Sequence, residues 1–205
     1  NVLINNNSDG GFFAHSGATP ILNNVTIVGN SNDQSFGGLG ISGGSNAILI
    51  NSIIWGNTPN SIDSYICNGC GGIDTISVSY SVIEGGLDSV VVGSASDQIL
   101  WLTGNLDSDP VFVDTANGDY HLADWSPCIA TGLDTSIVSS TDIEGNPRPN
   151  PAGSNPDMGA YENSLGAPIE HIVITSDTLL VTEDSLAIVD FRENDLVLKD
   201  WKSVV

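Results

Sequence analysis

Short apolar runs ending in glycine or asparagine recur along the first hundred residues. Four of them align over seven positions each, at residues 1–7, 24–30, 51–57 and 80–86. Self-similarity at a period between 20 and 50 residues is typical of solenoid proteins. The runs are short and no stretch shows the 3.6-residue period of an amphipathic helix, so each is predicted to be a β-strand.

The aligned positions differ in character, as strand alternation requires. One column holds only isoleucine and is expected to stack inside the protein, at Ile4, Ile27, Ile54 and Ile83. The next column varies and is expected to face outward, at Asn5, Val28, Trp55 and Glu84. The last column suits a sharp turn with positive φ, at Asn7, Asn30, Asn57 and Gly86.

Further strands are predicted between the repeats, at residues 39–41 and 47–50, with glycine-rich turns around them. Two or three strands per repeat give one coil of a solenoid. The predicted fold class is therefore all-β: a right-handed parallel β-helix with an irregular C-terminal segment and a short β-rich tail. The right-handed wind is expected from the general preference of parallel crossovers. Coils are predicted for residues 1–104.

The sequence pattern changes at residues 105–163, where short motifs replace the repeats. These residues are predicted to form a last coil and a closing segment. Five short motifs follow one another there: Asp-Pro-x-Phe, Gly-Asp-Tyr-x-Leu, Ser-Pro-x-Ile, Gly-x-Pro-Arg and Asp-x-Gly-Ala-Tyr-Glu. With the coils before it, this order resembles the choice-of-anchor Q family of bacterial surface proteins. That resemblance covers residues 1 to about 163.

The resemblance implies a right-handed parallel β-helix, similar to the pectin-lyase-like superfamily, and an extracellular or cell-surface location. Cys128 stands at a position where the family usually has another small residue. The resemblance assigns no catalytic residue to this chain.

Residues 164–168 are predicted to be a linker, and residues 169–205 a partial immunoglobulin-like or cadherin-like segment of antiparallel-style strands. About 37 residues are too few for a sandwich of roughly 100. Both ends of the chain are interpreted as cuts in a longer polypeptide.

The charge of the chain limits the classes of partner that it is expected to bind. The chain has 25 Asp and Glu against 4 Lys and Arg, a formal net charge of -21. Nucleic acid needs clustered Lys and Arg, so it is not expected as a partner. No run of about twenty apolar residues is present, so no membrane span is expected. A monomer is expected.

Cysteine is scarce. Cys67 and Cys70 form a lone Cys-x-x-Cys, for which a small loop disulfide or two free thiols are favoured over metal or redox chemistry. Cys128 is expected to be a buried small residue. His15 and His121 are interpreted as ordinary surface or turn residues.

The few Lys and Arg residues are the first candidates for catalytic chemistry. A lyase of the pectin-lyase-like superfamily needs a basic residue near an acidic calcium site. Only Arg148 lies within the first 168 residues. It is expected to form a structural ion pair with Asp157 or Glu162 rather than to act as a base.

Two weaker sites remain open. Calcium is the one cofactor considered, with Asp107, Asp109, Asp114 and Asp119 as candidate ligands. The alternative is a pair of Asp-stabilised turns. Trp55 beside Glu84 is a candidate for stacking on a sugar ring, unless a loop covers the tryptophan.

Three functions follow. The first is a non-catalytic β-helix module of a secreted or cell-surface protein, acting as a rigid stalk or as a face that binds polysaccharide or another surface glycan. The second is part of a polysaccharide lyase or glycoside hydrolase whose catalytic coils lie partly upstream. The third is a structural spacer without a ligand.

Overall fold

The computed structural model describes residues 1–33, 36–64, 71–172 and 188–189, the backbone alone at 171–172 and 188–189. Residues 1–168 form one compact unit and 169–205 a second. Cys67 and Cys70 lie outside the described residues, as does most of the predicted partial domain.

The first unit contains a parallel β-solenoid of about three turns. Its described residues form twelve strands: β1 Val2–Asn5, β2 Phe12–Ala14, β3 Ile21–Asn23, β4 Val25–Val28, β5 Leu39–Ile41, β6 Asn46–Ile50, β7 Ile53–Trp55, β8 Ile62–Ser64, β9 Thr75–Ser79, β10 Val82–Ile83, β11 Val90–Val92 and β12 Gln98–Trp101. The predicted strands at 39–41 and 47–50 are confirmed as β5 and β6. The expected right-handed wind stays a prediction.

Every third strand belongs to the same sheet. Sheet 1 has the order β1-β4-β7-β10, sheet 2 the order β2-β5-β8-β11, and sheet 3 the order β3-β6-β9-β12. All pairings within these sheets are parallel. Each coil therefore contributes one strand to each face, and equivalent residues of successive coils lie side by side.

The isoleucine column predicted from the repeat is confirmed. Ile4 pairs with Ile27, Ile27 with Ile54, and Ile54 with Ile83. Ile27, Ile54 and Ile83 are at most 1% exposed. They share one apolar core with inward residues of sheets 2 and 3, among them Leu39, Ile62 and Ile76.

The turn column is confirmed at Gly86, where φ is 59°, and corrected at its asparagines. Positive φ occurs one position before Asn30 and Asn57, at Gly29 (65°) and Gly56 (64°). Glycine adopts this conformation without the steric cost of a Cβ, which frees the asparagine side chains for another role. They form an internal ladder: Nδ2 of Asn7 donates to Oδ1 of Asn30 over 2.8 Å, and Nδ2 of Asn30 donates to Oδ1 of Asn57 over 3.0 Å.

Residues 105–163, here called the closing segment, pass from the last coil onto the outer face of sheet 1. Leu106 still bridges Val82 in parallel. The segment then forms the antiparallel pair β13 Phe112–Asp114 and β14 Asp119–Leu122. The two helical elements among the described residues are short 3-10 turns, Gly86–Ser89 and Thr115–Asn117.

A second apolar core joins the closing segment to the solenoid. The outward residues Ile53 and Val82 of sheet 1 pack there with Leu122, Ile129 and other buried side chains. Gly159 is required at this junction, because an added Cβ would lie 2.7 Å from Cδ1 of Ile53 and because its φ is 92°. The closing segment thus buries a sheet face that a free solenoid would expose.

The second unit is described by one strand pair. β15 His171–Ile172 pairs in parallel with β16 Ile188–Val189. The sequence predicts antiparallel-style strands for this segment and this one pair differs from them, while the partial immunoglobulin-like or cadherin-like domain stays a prediction. The chain between residues 172 and 188 is long enough for the crossover that a parallel pair needs.

Candidate functional site

The Trp55 groove is the main candidate site, and it lies where the closing segment meets sheet 1. It encloses about 490 Å³. From the solenoid, Val28, Gly29, Trp55 and Gly56 line it, together with Asn6. Trp55 is half-buried, so the closing segment covers part of its ring and leaves part facing the groove.

Register explains the solenoid side of the groove. Val28 pairs with Trp55, and both follow an inward isoleucine, so both face outward. Gly29 and Gly56 come next and carry no side chain. The result is a flat strip of sheet, and among the described residues of the solenoid Trp55 is the one aromatic side chain that lines the groove.

The opposite wall comes from β13, β14 and the turn before them. Phe112 and Tyr120 pack edge to face, with ring centroids 5.4 Å apart and an interplanar angle of 90°. The hydroxyl of Tyr120 accepts a 3.0 Å hydrogen bond from Nδ2 of Asn6. These contacts fix the wall relative to the solenoid.

The chain enters this wall through an unusual residue. Val111 has φ 51°, which is strained for a β-branched side chain. Its N–H donates to Oδ1 of Asp109 over 2.8 Å, and its carbonyl accepts from Ala123 N–H over 2.9 Å. These bonds hold the strained turn and place Asp109 and Phe112 in the groove.

Glu84, the predicted companion of Trp55, lies on the neighbouring coil. Its Oε2 accepts a 2.7 Å hydrogen bond from the N–H of Gly56. The carboxylate is thus fixed to the peptide that follows Trp55. Glu84 does not line the groove but places a negative charge beside it.

The four candidate calcium ligands do not form a cluster. Asp107 accepts from Gly85 N–H, Asp109 from Val111 N–H, Asp114 from Asn117 N–H, and Asp119 from His121 N–H. Each carboxylate stabilises a local turn or neighbouring coil. Across the part of the chain that the structure describes, no three His, Cys, Asp or Glu side chains are grouped to hold a metal ion.

Arg148 lies inside the closing segment, where its guanidinium is fully buried. Nη1 lies 3.1 Å from Oε2 of Glu162 and also donates to the carbonyl of Asp157, while Nη2 donates to the carbonyl of Gly159. Burial lowers the pKa of Arg148, against the opposing effect of Glu162. The guanidinium ties Arg148 to the stretch of residues 157–162 and does not reach the surface.

Asp157 lies beside this pair and accepts backbone hydrogen bonds from Ala130 (2.7 Å) and Asn163 (2.6 Å). Burial, then the neighbouring Glu162 carboxylate, raises the pKa of Asp157 to about 7. Burial also raises the pKa of Glu162. Of these two buried carboxylates, Glu162 pairs with the guanidinium, whereas that of Asp157 is held by backbone N–H groups.

His121 is the residue whose contacts the sequence analysis missed. Its Nδ1 lies 2.6 Å from Oδ1 of Asp119 and its Nε2 3.1 Å from Oε2 of Glu144, and its ring packs on Tyr161 at 4.2 Å. Burial lowers the pKa of His121, but the two hydrogen bonds outweigh it and the net shift is upward. The spacing of Asp119 and His121 on one face of β14 was the available signal; Glu144 is distant in sequence.

His121 borders a second pocket of about 310 Å³, lined also by Asn146, Tyr161 and Glu162.

Cys128 is a free thiol in the second core, and burial raises its pKa to about 12. Such a thiol is not a nucleophile at neutral pH.

Comparisons of the chain with protein-family models, curated proteins and solved structures find no match. The fold is therefore defined by the strand register itself. No helix in the described part of the chain is long and apolar enough to cross a bilayer.

Proposed function

We propose that residues 1–168 are a glycan-binding module in which the Trp55 groove is the binding face and the solenoid is its rigid support. The observation that carries this proposal is the half-exposed Trp55 on a flat strip of sheet, facing an aromatic wall. An aromatic ring offers a flat apolar surface to the C–H face of a sugar.

The remaining lining suits a polyhydroxylated ligand. Asn6, Asp109 and Thr115 supply amide, carboxylate and hydroxyl groups around the aromatic floor. Small-molecule sites combine apolar walls with a few placed polar groups in a volume of about 300–1,000 Å³. The volume of the Trp55 groove falls in that range.

The support is stiff for a physical reason. Each interior coil is hydrogen-bonded to a coil on both sides in all three sheets. Stacked repeats of this kind present long, fixed faces. Such a body fits the role of a rigid stalk or adhesive face.

We further propose membership of the choice-of-anchor Q family and an extracellular or cell-surface location. Support comes from the order of the closing motifs and from the roles of their residues. Tyr120, Ile129, Arg148, Asp157 and Glu162 are all buried in the closing segment. Residues that pack in the same interior depend on one another, so the five motifs are expected to occur together in one sequence.

A glycan array followed by calorimetry tests the proposed function. Trp55→Ala should weaken binding of any saccharide hit by roughly tenfold or more, since an aromatic anchor at the centre of a site contributes on the order of 2 kcal/mol. Trp125→Ala is the matched control, because Trp125 is exposed and lies outside the groove.

A second pair of variants avoids the core contacts of Trp55. Thr115→Trp should block the groove from its exposed rim, whereas Ala116→Trp, on the same turn, should leave binding unchanged. Binding that survives both Trp55→Ala and Thr115→Trp in folded protein would refute the groove as the site. An array without a single hit would refute glycan binding.

A further inference from the structure

We propose that the Trp55 groove selects saccharides that carry a free amine and rejects saccharides that carry a carboxylate. This inference rests on the proposed function and names its ligand class. It follows from where charge lies on the unit of residues 1–168.

Lys and Arg are missing from the described surface of this unit, and His121, whose pKa is raised, does not line the groove. Arg148 is its only Lys or Arg. That guanidinium is fully buried against Glu162. Most of the 25 Asp and Glu residues of the chain lie in the same unit. A carboxylate-bearing sugar would therefore meet no Lys or Arg on it.

Negative charge, in contrast, flanks the aromatic floor. Asp109 is exposed and lines the groove; its Oδ1 accepts from Val111, and no residue in the described part of the chain donates a hydrogen bond to its Oδ2. Glu84 is fixed to Gly56, the residue after Trp55. A tryptophan ring in a groove with carboxylates in and beside it attracts an ammonium group by cation–π and Coulomb forces together.

The same arrangement disfavours uronates. Like charges at the groove raise the free energy of a bound carboxylate, and the net charge of the unit adds to the effect at low ionic strength. A divalent cation between ligand and protein would offset this repulsion. The experiment removes such cations with a chelator.

The test uses the whole chain and four oligosaccharides of equal length: a glucosamine oligomer, its N-acetylated form, a neutral glucose oligomer and a galacturonate oligomer. Calorimetry is done with EDTA near pH 6, at about 20 and 200 mM salt. The amine-bearing oligomer should bind at least about tenfold more tightly than the acetylated one, and the galacturonate should not bind. Since the Debye length shortens from roughly 20 Å to 7 Å, the amine preference should shrink at the higher salt.

Asp109→Asn identifies the source of the preference. The asparagine keeps the acceptor for Val111 N–H and loses the charge, so the ratio of amine to acetylated affinity should fall several-fold. Asp88→Asn, exposed and outside the groove, is the matched control and should leave that ratio unchanged.

Failure of the inference is distinct from failure of the proposed function. Equal affinity for the amine and acetylated oligomers, or binding of galacturonate, would overturn the selectivity while saccharide binding still stood. A preference that is unchanged in Asp109→Asn and insensitive to salt would also overturn it. Absence of binding to all four oligomers and to the array would refute both.

Discussion

Buried asparagines close the hydrogen bonds of one corner of the solenoid. Oδ1 of Asn57 accepts from both the backbone N–H and the Nδ2 of Asn30, and Nδ2 of Asn57 donates to the carbonyl of Ile27 over 2.9 Å. A corner where strands end leaves backbone groups without sheet partners, and a buried group without a partner costs about 1–3 kcal/mol. The ladder removes that cost at successive coils.

Asn57→Ala should therefore destabilise the protein by about 2–4 kcal/mol, because it leaves buried groups of Asn30 and Ile27 unpaired. Asn7→Ala, at the exposed end of the same ladder, should cost roughly 1 kcal/mol or less. Urea unfolding followed by circular dichroism measures both. Equal losses for the two variants would contradict the buried role of the ladder.

For single residues, the sequence predicts which positions of the repeats align in columns but not the structural role of every column. A column made only of isoleucine is predicted to face the interior, and the strand pairing confirms this. The asparagine column was expected to adopt positive φ, whereas Gly29 and Gly56 beside it do so. The physical distinction was available, since glycine adopts that conformation at lower cost than asparagine.

The closing segment is the element that turns a bare solenoid into a unit with a groove. It covers the outer face of sheet 1 and carries its own buried charges, Arg148, Asp157 and Glu162. Burying carboxylates costs free energy unless they are paired or protonated. Docking of this element should therefore depend on pH.

Asp157 sets the sign of that dependence. Its folded-state pKa of about 7 lies above the ordinary value of 3.8. Between these values the folded chain holds a proton that the unfolded chain has released, so folding is favoured at the lower pH. The stability contributed by Asp157 is full below about pH 4 and is lost as the pH rises through 7.

Urea unfolding of the wild type and of Asp157→Asn at pH 4.5, 6 and 7.5 tests this predicted pH dependence of stability. The wild type should lose stability relative to the variant as the pH rises, by an amount on the order of a few kcal/mol. Asp134→Asn, an exposed aspartate of the same segment, is the control and should run parallel to the wild type. A constant difference between the wild type and Asp157→Asn at all three pH values would contradict the raised pKa.

The position of the closing segment was only partly predictable. Strands of sheet 1 are apolar on both faces, as at Ile53 with Ile54 and at Val82 with Ile83, and such strands are typical of sheets covered on both sides. That pattern predicts a cover for sheet 1. It does not say which residues form the cover, because the closing segment reaches Trp55 through contacts distant in sequence.

Across the whole first unit, shape and charge point to one use. Three parallel sheets give a rigid body, the closing segment gives one of its faces a groove, and the unit has no exposed Lys or Arg among its described residues. The central claim is that a saccharide lies on Trp55 in that groove. Trp55 can report on this directly by its fluorescence.

The most direct measurement is a saccharide titration of the triple variant Trp101→Phe, Trp125→Phe and Trp201→Phe, which leaves Trp55 as the sole tryptophan of the four in the chain. As the ligand covers the ring and removes water, the emission of Trp55 should shift to shorter wavelength and saturate at the affinity that calorimetry gives. Binding seen by calorimetry with no change in Trp55 emission would contradict the claim.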